Sequence, residues 1–213
     1  QVTNTTPSRP IIVNRNPPDA VDDNREATIS DDGNTIAFIS TRDLVPTSGS
    51  VIGNPDFNPE LFFARTSGGW APGTNTFAQG TRTQDTIPGV ANTLQQNPSL
   101  SANGNTVAFL SRANLAAAND DGNAEVYVAD FTGTGLANIR QITKTRNEAS
   151  GAENAGLTLN LFTSGRRLSR DGNFISLESL ADLSGDNSIQ LNTTVFIYNV
   201  SNSSFKQVGP RAT

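Results

Sequence analysis

Oxygen-bearing side chains stand at every second position just before two predicted strands, and we call each of these runs a ladder. The first ladder spans residues 54–60 and the second spans residues 119–125. Their members are Asn54, Asp56, Asn58 and Glu60, and Asn119, Asp121, Asn123 and Glu125. Calcium takes about six to eight oxygen ligands from carboxylates, amides and carbonyls. The ladders therefore predict two candidate calcium sites, and the sequence suggests no other cofactor.

The ladders also have an interpretation that involves no metal. Asn and Asp side chains accept hydrogen bonds from their own backbone in loops, which makes them common turn residues. Each ladder carries only two carboxylates, and the EF-hand pattern of glycine and bidentate glutamate is absent. The matching positions of a third copy are Ser188, Gln190, Asn192 and Thr194, without a carboxylate, although Asp186 stands nearby. Both interpretations stay open at this point.

The residues for the commonest catalytic chemistry are scarce. The chain contains no His and no Cys, so it lacks the usual general base, the usual zinc ligand and a thiol nucleophile. No G-x-S-x-G nucleophile elbow occurs either. The carboxylates Asp31, Asp32 and Asp171 stand in tight turns, and Asp32 and Asp171 are equivalent, which indicates turn formers. We therefore expect no catalytic residue and a non-enzymatic protein.

The elements that position the ladders recur three times. The turn glycines Gly33, Gly104 and Gly172 are 71 and 68 residues apart, and such a fixed period is typical of repeat architectures. In each copy a D-G-N or N-G-N turn, which tolerates positive φ, joins two short strands. The second to fourth strands are predicted at Thr35–Ser40, Leu61–Arg65 and Thr76–Gln79, at Thr106–Ser111, Val126–Asp130 and Arg140–Thr143, and at Phe174–Ser179, Val195–Asn199 and Phe205–Val208.

The repeated pattern S-x-D-G-N-x-h-A-F-x-S, followed by N-A-E-V-Y-V-A-D and R-Q-I-T, resembles the WD40-like repeats of TolB-type propellers. The resemblance covers residues 27–208 and is loosest in the third copy, where Ser176 and Leu177 replace Ala-Phe and Thr194 replaces Glu. It implies an all-β, propeller-like arc of about three four-stranded antiparallel blades. Closed propellers have roughly four to eight blades, so we expect this arc to be part of a larger ring or assembly.

The repeats divide the chain into four segments. Residues 1–26 form an N-terminal extension with a candidate strand at Ile11–Val13, residues 27–97 blade one plus linker, residues 98–165 blade two plus linker, and residues 166–213 blade three. In a meandering blade, the loop between strands two and three lies on the same face as the linker to the next blade. These connections are long here, so this face is the expected binding face.

Two smaller features have expected structural roles. The pairs Asp43-Leu44, Asn114-Leu115 and Asp182-Leu183 recur after the second strand of each copy. We expect the leucine to fill the core between blades and the Asp or Asn to accept backbone N–H bonds. Trp70, the single tryptophan, stands in a Gly/Pro loop, where packing on the blade edge is expected.

Charge and composition limit the partners. The net charge is −5 and only 16% of the residues are charged, whereas nucleic-acid binding needs clustered Lys and Arg. No apolar run approaches the roughly 18 residues of a membrane-spanning helix. The surface is instead rich in uncharged polar residues, which is common in exported proteins. We expect a protein or glycan partner and a secreted, periplasmic or cell-surface location.

The sequence thus favours a non-enzymatic extracytoplasmic binding or scaffold module that presents long polar loops to a protein or glycan. Because an incomplete arc leaves sheet faces to be covered, we expect self-association or the remainder of a longer chain. Two other functions stay open, namely a structural subunit of a surface or filament assembly and a carboxylate-dependent glycan-active enzyme domain. Two carboxyl groups about 5–10 Å apart in a concave site would favour the enzyme.

Overall fold

The computed structural model describes residues 24–45, 53–71, 75–84, 94–146, 159–185 and 193–209, which form three four-stranded antiparallel sheets. Blade one contains β1 (Asn24–Ile29), β2 (Thr35–Ser40), β3 (Glu60–Arg65) and β4 (Thr76–Gln79). Blade two contains β5 (Gln95–Leu100), β6 (Thr106–Ser111), β7 (Glu125–Phe131) and β8 (Leu136–Gln141). Blade three contains β9 (Asn160–Leu161), β10 (Phe174–Ser179), β11 (Thr194–Asn199) and β12 (Ser204–Gln207). Within these ranges no helix is long and apolar enough to cross a membrane.

The strands of each blade follow chain order across the sheet, as the predicted meander requires. The second strand of every blade lies where the sequence predicts it. The fourth strand of blade two was predicted at Arg140–Thr143 but lies earlier in the chain, because β8 begins at Leu136 and ends at Gln141. The first strands begin at 24, 95 and 160, a few residues before the predicted blade boundaries. The candidate strand at Ile11–Val13 lies outside the described residues.

The first strands of blades one and two each contain a β-bulge, so their side chains do not alternate in the pattern by which strands are predicted. Glu26 has φ 54° and Asn97 has φ 51°, and the pairing register shifts at both positions. A bulge adds a residue to one strand and breaks the alternation of side chains. The Asn97 N–H also donates to Glu26 Oε2, so the two bulges join the first strands of neighbouring blades.

Apolar side chains on both sides of each sheet hold the blades together. We call the side facing the next blade the forward face and the opposite side the rear face. The forward face of blade one meets the rear face of blade two through Ala37, Ile39, Leu61, Phe63 and Ala78 against Leu100, Val107, Phe109, Tyr127, Ala129 and Phe131. Blades two and three meet through Ala108, Leu110, Val126, Val128 and Ile142 against Phe162, Leu168, Ile175, Leu177, Phe196 and Tyr198. The same packing is thus used twice.

The tight turns also connect the blades. The Asp31 N–H donates to the Ala102 carbonyl at 2.9 Å, and the Ala102 N–H donates to the Arg170 carbonyl at 2.7 Å. Within each turn a serine hydroxyl accepts the backbone N–H that follows the turn, as Ser30 does for Thr35 at 3.0 Å. The turns therefore form a hydrogen-bonded row along one end of the arc.

Gly104 is required both by its backbone and by its neighbours. Its φ is +67°, and a Cβ there would lie 2.7 Å from the Thr35 Cβ of blade one. Gly33 has a similar φ of +72°, but a Cβ there would meet nothing within 4 Å. We expect Gly33→Ala to cost about 1–2 kcal/mol from the left-handed backbone alone, and Gly104→Ala to cost clearly more. Urea unfolding checks this, and equal losses for the two variants would contradict the turn-to-blade contact.

Candidate functional site

The structure divides each ladder between the interior and the solvent. Asn54, Asn58 and Glu60 of the first ladder are buried, as are Asn119, Asn123 and Glu125 of the second. Asp56 is half-buried and Asp121 is exposed. The sequence brings four oxygen-bearing side chains to every second position, but the fold sends the aspartate outward in both ladders. The buried members contact the end of the same blade's fourth strand.

Glu60 binds two threonines that follow β4. The Thr81 hydroxyl donates to Oε2, and the Thr83 hydroxyl donates to Oε1 at 2.6 Å. The Thr83 N–H also donates to Oε1. Asn58 adds a bond from its Nδ2 to the Thr83 carbonyl at 2.9 Å, and Asn54 Nδ2 donates to the Asn58 carbonyl at 2.9 Å. The first ladder therefore ties the start of β3 to the segment that leaves the blade.

The second ladder repeats this arrangement. Glu125 Oε1 accepts from the Thr145 N–H at 2.7 Å and from the Thr145 hydroxyl at 2.9 Å. Asn123 Nδ2 donates to the Thr145 carbonyl at 2.8 Å, and Asn119 Nδ2 donates to the Asn123 carbonyl at 2.9 Å. The Val126 N–H donates to the Thr143 hydroxyl at 2.8 Å, as the Leu61 N–H does to Thr81 in blade one. The agreement of the two copies shows that this geometry belongs to the repeat.

The network extends from each blade to the next. Asn160 on β9 donates through Nδ2 to Glu125 Oε2 at 3.1 Å, to Thr145 Oγ1 at 2.8 Å and to the Ala124 carbonyl at 3.0 Å. At the preceding junction, Gln95 Nε2 donates to Thr83 Oγ1 at 3.3 Å. We call each group of buried Asn, Asn and Glu with its two threonines a clasp. The clasp joins two blades at the face that carries the long loops.

Blade three has no clasp of this kind among the described residues. Thr194 takes the place of the ladder glutamate, and Gly209 takes the place of the first threonine, as shown by the matching bonds of Gly209 and Thr81 to the third strand. The ladder positions Ser188, Gln190 and Asn192, with Asp186, lie outside the described residues. The clasp threonines were not predicted from the sequence. A repeated T-x-T motif after the fourth strand, at residues 81–83 and 143–145, is the signal that indicates them.

Burial governs the acid strength of the clasp glutamates. Desolvation raises the pKa of Glu60 to about 7, although the hydrogen bonds from Thr81 and Thr83 oppose this shift. Desolvation also raises the pKa of Glu125, against the bonds from Thr143 and Thr145. A carboxyl group without water resists ionisation because the charged form loses its hydration. The Glu60 carboxyl group can therefore be neutral or ionised near neutral pH.

The pKa of Glu60 predicts how stability depends on pH. The folded protein holds this proton up to about pH 7, whereas the ordinary value is 4.5. The stabilisation is therefore fully present below pH 4.5 and is lost as the pH rises through 7. The loss is on the order of 3 kcal/mol. Urea unfolding from pH 4.5 to 8 should show this decline, which Glu60→Gln should reduce and Glu178→Gln, at a half-exposed position, should not. An unchanged decline in Glu60→Gln would contradict the assignment.

Calcium binding at the ladders stays a prediction. No three acidic side chains gather into a metal-binding group in the described part of the chain, and the clasp donors already bind the carboxylate oxygens. The buried Oδ1 atoms of Asn54, Asn119 and Asn123, however, have no hydrogen-bond partner there. A ligand that binds only the folded state stabilises it by about 2.7 kcal/mol at a hundredfold excess over its Kd. Equal melting temperatures in calcium and in chelator would exclude the site.

The polar member of each smaller repeated pair accepts a backbone N–H, as predicted. Asp43 Oδ1 accepts the Asn54 N–H at 3.1 Å, Asn114 Oδ1 accepts the Asn119 N–H at 3.1 Å, and Asp182 Oδ1 accepts the Gly185 N–H at 2.8 Å. Leu115 and Leu183 pack against the clusters between neighbouring blades, whereas Leu44 packs in a cluster of blade one alone. Trp70 packs on blade one and donates to the Gly33 carbonyl at 2.7 Å.

The turn aspartates also serve the fold. Hydrogen bonds from Ser30 and the Asn34 N–H lower the pKa of Asp32, and the equivalent bonds from Ser169 and Asn173 lower that of Asp171. Asp31 instead forms ion pairs with Arg166 and with Arg170, the latter at 2.7 Å. These carboxylates hold turns or join blades.

The forward face of blade three is the largest departure from the repeat. Four large apolar side chains that project from this blade are substantially exposed, namely Phe174 (45%), Val195 (42%), Ile197 (37%) and Val208 (56%). Glu178 and Lys206 occupy the same face, where blade two has Leu110 and Arg140. The corresponding faces of blades one and two are covered by the next blade. Blade three therefore presents an open sheet face on which these apolar side chains stand beside Ser176, Glu178 and Lys206.

A cavity of about 510 Å³ lies beside the outer strand of blade two. The residues that line it come from the β6–β7 loop, from β8 and the residues after it, and from β11, β12 and the turn between them. The described residues of the lining include Arg140 and Lys144 and no Asp or Glu.

Comparison with known proteins adds information about the fold. No protein-family model and no curated protein matches the sequence. Similar solved structures include the β-propeller domain of the Trilobed protease from Pyrococcus furiosus, which is 13% identical with a TM-score of 0.43 and aligns over 88% of this chain and 42% of that one. A putative TolB from Agrobacterium tumefaciens is 13% identical with a TM-score of 0.44, over 89% of this chain and 47% of that one.

A third similar structure is a puromycin-hydrolyzing peptidase from Mycobacterium tuberculosis, 13% identical with a TM-score of 0.47 over 90% of this chain and 24% of that one. The chain thus spans less than half of each of these proteins. At this identity the likeness concerns the fold alone. This chain has a propeller-type repeat fold. The three consecutive four-stranded antiparallel sheets, packed forward face to rear face, confirm that prediction by themselves.

Proposed function

We propose that this chain is a non-enzymatic, extracytoplasmic protein-binding module that docks a second copy of itself through the forward face of blade three. The observation that carries the proposal is the exposure of Phe174, Val195, Ile197 and Val208 on one sheet face. Contiguous apolar surface of this kind is characteristic of protein interaction sites. Inside the chain, the two equivalent faces are each buried against another sheet.

The chemistry of the face favours a second copy over another blade of the same repeat. Thr35 and Thr106 leave room for the turn glycine of the following blade, Gly104 and Gly172 respectively. Phe174 occupies the equivalent position of blade three, and its ring is much larger than the threonine side chains beside Gly104 and Gly172. A following D-G-N turn would therefore meet a bulkier side chain at this position.

The face carries both a positive and a negative side chain, so the faces of two copies can be complementary in charge. Lys206 forms no ion pair with a described residue, and Glu178, which pairs with Arg167 at 3.5 Å, lies on the same face. A two-fold interface places the same patch on both subunits, so Lys206 of each copy can meet Glu178 of the other across an apolar centre. This arrangement would cover the open face and leave no unpaired charge in it.

The described carboxylates support a binding role over the carboxylate-dependent enzyme. Glu60 and Glu125 are buried in clasps, and Asp32 and Asp171 stabilise turns. None of the described residues that line the cavity beside β8 is Asp or Glu. The extracytoplasmic location is supported by the polar, weakly charged composition. Residues 85–93 and 147–158 lie outside the described part of the chain, so the proposal uses blade three.

The proposal is tested by mass in solution. We expect light scattering to give twice the 22.5 kDa of one chain, and Ile197→Lys to reduce this to one chain because a buried lysine would lack a partner. Thr134→Lys, in the exposed β7–β8 turn, should leave the dimer intact. Lys206→Glu should weaken the dimer and Glu178→Lys in the same chain should restore it. A folded wild-type chain that stays monomeric at high concentration would refute the proposal.

A further inference from the structure

We propose that the outer edge of blade two binds an extended acidic peptide segment of a partner protein, which adds a strand beside β8. This site is separate from the blade-three face described above. Its surface is the cavity of about 510 Å³ that lies along β8 and the residues that follow it. The site combines a free strand edge, two cavity walls and two positively charged side chains.

β8 has a free edge. Among the described strands, it is the last of its sheet and pairs only with β7. The Ile142 N–H donates inward to the Val126 carbonyl at 2.9 Å. Because main-chain groups alternate in direction along an antiparallel strand, the N–H and carbonyl of Gln141 point away from β7. An added peptide strand can pair with these groups, which is how many domains recognise extended peptides.

The cavity has a wall on each side of this edge. Ala116, Ala118 and Ile139 form one wall, and Tyr198, Ser203 and Phe205 of blade three form the other. Side chains of an extended peptide alternate between two directions. A strand seated on the edge would therefore place successive side chains toward opposite walls. The small alanines and the aromatic pair leave room on both sides.

The charge of the cavity selects an acidic ligand. Arg140 and Lys144 line it, and neither forms an ion pair with a described residue. None of the described lining residues is Asp or Glu. Asp120, which follows the alanine wall in the chain, is already held by Arg146 through bonds of 2.8 and 2.9 Å. Two cations that form no ion pair with a described residue therefore face the cavity.

The walls are held in a defined shape. The Arg140 guanidinium donates to the Val200 carbonyl at 3.0 Å, which fixes blade three beside β8 and leaves other N–H groups of Arg140 available. Asn114 Oδ1 accepts the Ala118 N–H at 2.8 Å, and Ala117 has a φ of 53°. A non-glycine residue in this backbone region is costly, and such strain is concentrated at functional sites. The Tyr198 and Phe205 rings lie 4.8 Å apart.

The positions of the cations define the sequence of the ligand. Arg140, Ile142 and Lys144 stand at every second residue and all line the cavity. A strand advances roughly 3.3 Å per residue, so a partner strand meets these three side chains with its own residues at every second position. The complementary segment carries an acidic residue, an apolar residue and an acidic residue at positions one, three and five.

Fluorescence anisotropy with labelled peptides tests the proposal. The probe contains Asp-Thr-Leu-Thr-Asp, and its control contains Lys-Thr-Leu-Thr-Lys. We expect the acidic peptide to bind at least about tenfold more tightly than the lysine peptide. Lys144→Glu should weaken acidic binding about tenfold, whereas Arg112→Glu, an exposed cation of the same blade outside the cavity, should leave it unchanged. The titration is repeated in the Ile197→Lys variant, so that it is independent of docking through blade three.

Methylation of single peptide nitrogens separates strand addition from simple charge attraction. A methyl group on the amide that pairs with Gln141 should abolish binding, and the same group one residue away should be tolerated. Equal binding of the two charged peptides would overturn the proposal, as would equal losses in Lys144→Glu and Arg112→Glu. Binding that tolerates methylation at both places would also overturn it, because no strand would then be added.

Discussion

Replacing Phe63 by alanine is expected to lower the free energy of unfolding by about 3–5 kcal/mol, the usual cost of deleting a buried aromatic ring. Phe63 is fully buried on the forward face of blade one. Its ring stacks on Phe131 of blade two with centroids 3.9 Å apart and planes 9° apart. Loss of the ring leaves a cavity between two blades and removes a stacked pair worth about 0.5–1.5 kcal/mol in addition. Urea unfolding, followed by tryptophan fluorescence and circular dichroism, measures the effect.

Phe174 provides the matched control for this experiment. It is also a phenylalanine on a forward face, but 45% of it is exposed because none of the described blades covers it. Phe174→Ala should therefore cost much less than Phe63→Ala in a chain kept monomeric by Ile197→Lys. Similar costs at the two positions would mean that blades one and two are not joined by this face. A changed urea dependence would indicate that the blades no longer unfold together.

Replacing Glu125 by alanine is expected to destabilise the protein by about 3–5 kcal/mol, the cost of breaking a buried polar network. Glu125 has no exposed surface. Its removal leaves the Thr145 N–H without an acceptor and takes one acceptor from Asn160 of blade three. Buried donors left unpaired cost about 1–3 kcal/mol each. The variant should loosen the junction of blades two and three first, which hydrogen exchange of β9 and β10 measures.

In a chain kept monomeric by Ile197→Lys, Glu178→Ala is the control for Glu125→Ala. Glu178 is half-exposed and pairs with Arg167 at 3.5 Å, and such pairs contribute about 0–1 kcal/mol. Glu125→Gln keeps the size of the side chain but replaces one carboxylate oxygen by an NH2 group. This group cannot accept the hydrogen bond that the Asn160 amide donates to Glu125. We expect an intermediate loss for this variant. If Glu125→Ala and Glu178→Ala lost the same stability, the clasp would have no structural role.

Three junctions with different chemistry follow from one repeated sequence unit. The blade interiors are joined by apolar faces, the long-loop end by the clasps, and the opposite end by the row of tight turns. Blade three keeps the rear face and the turn but loses the clasp residues and opens its forward face. The loose third copy in the sequence therefore corresponds to the place where the described arc ends and where a partner is proposed.

The sequence by itself determined the hairpins. The D-G-N and N-G-N turns and the β-branched runs after them located β2, β6 and β10 to the residue, because turn chemistry and alternation act over a few neighbouring positions. It also determined the loop roles of Asp43, Asn114 and Asp182, which are bonds to residues a short distance along the chain. The first strands of blades one and two were not predicted in this way, because bulges at Glu26 and Asn97 break the alternation of side chains.

Only the tertiary structure decided what the ladders do. The alternation of Asn, Asp, Asn and Glu is the same whether the oxygens surround a cation or the chain buries some and exposes others. The fold brings Thr145 and Asn160, which are 20 and 35 residues away in the chain, onto Glu125. It also leaves the blade-three face open and creates the cavity beside β8. These features depend on which sheet lies against which, and spacing along one chain does not contain that information.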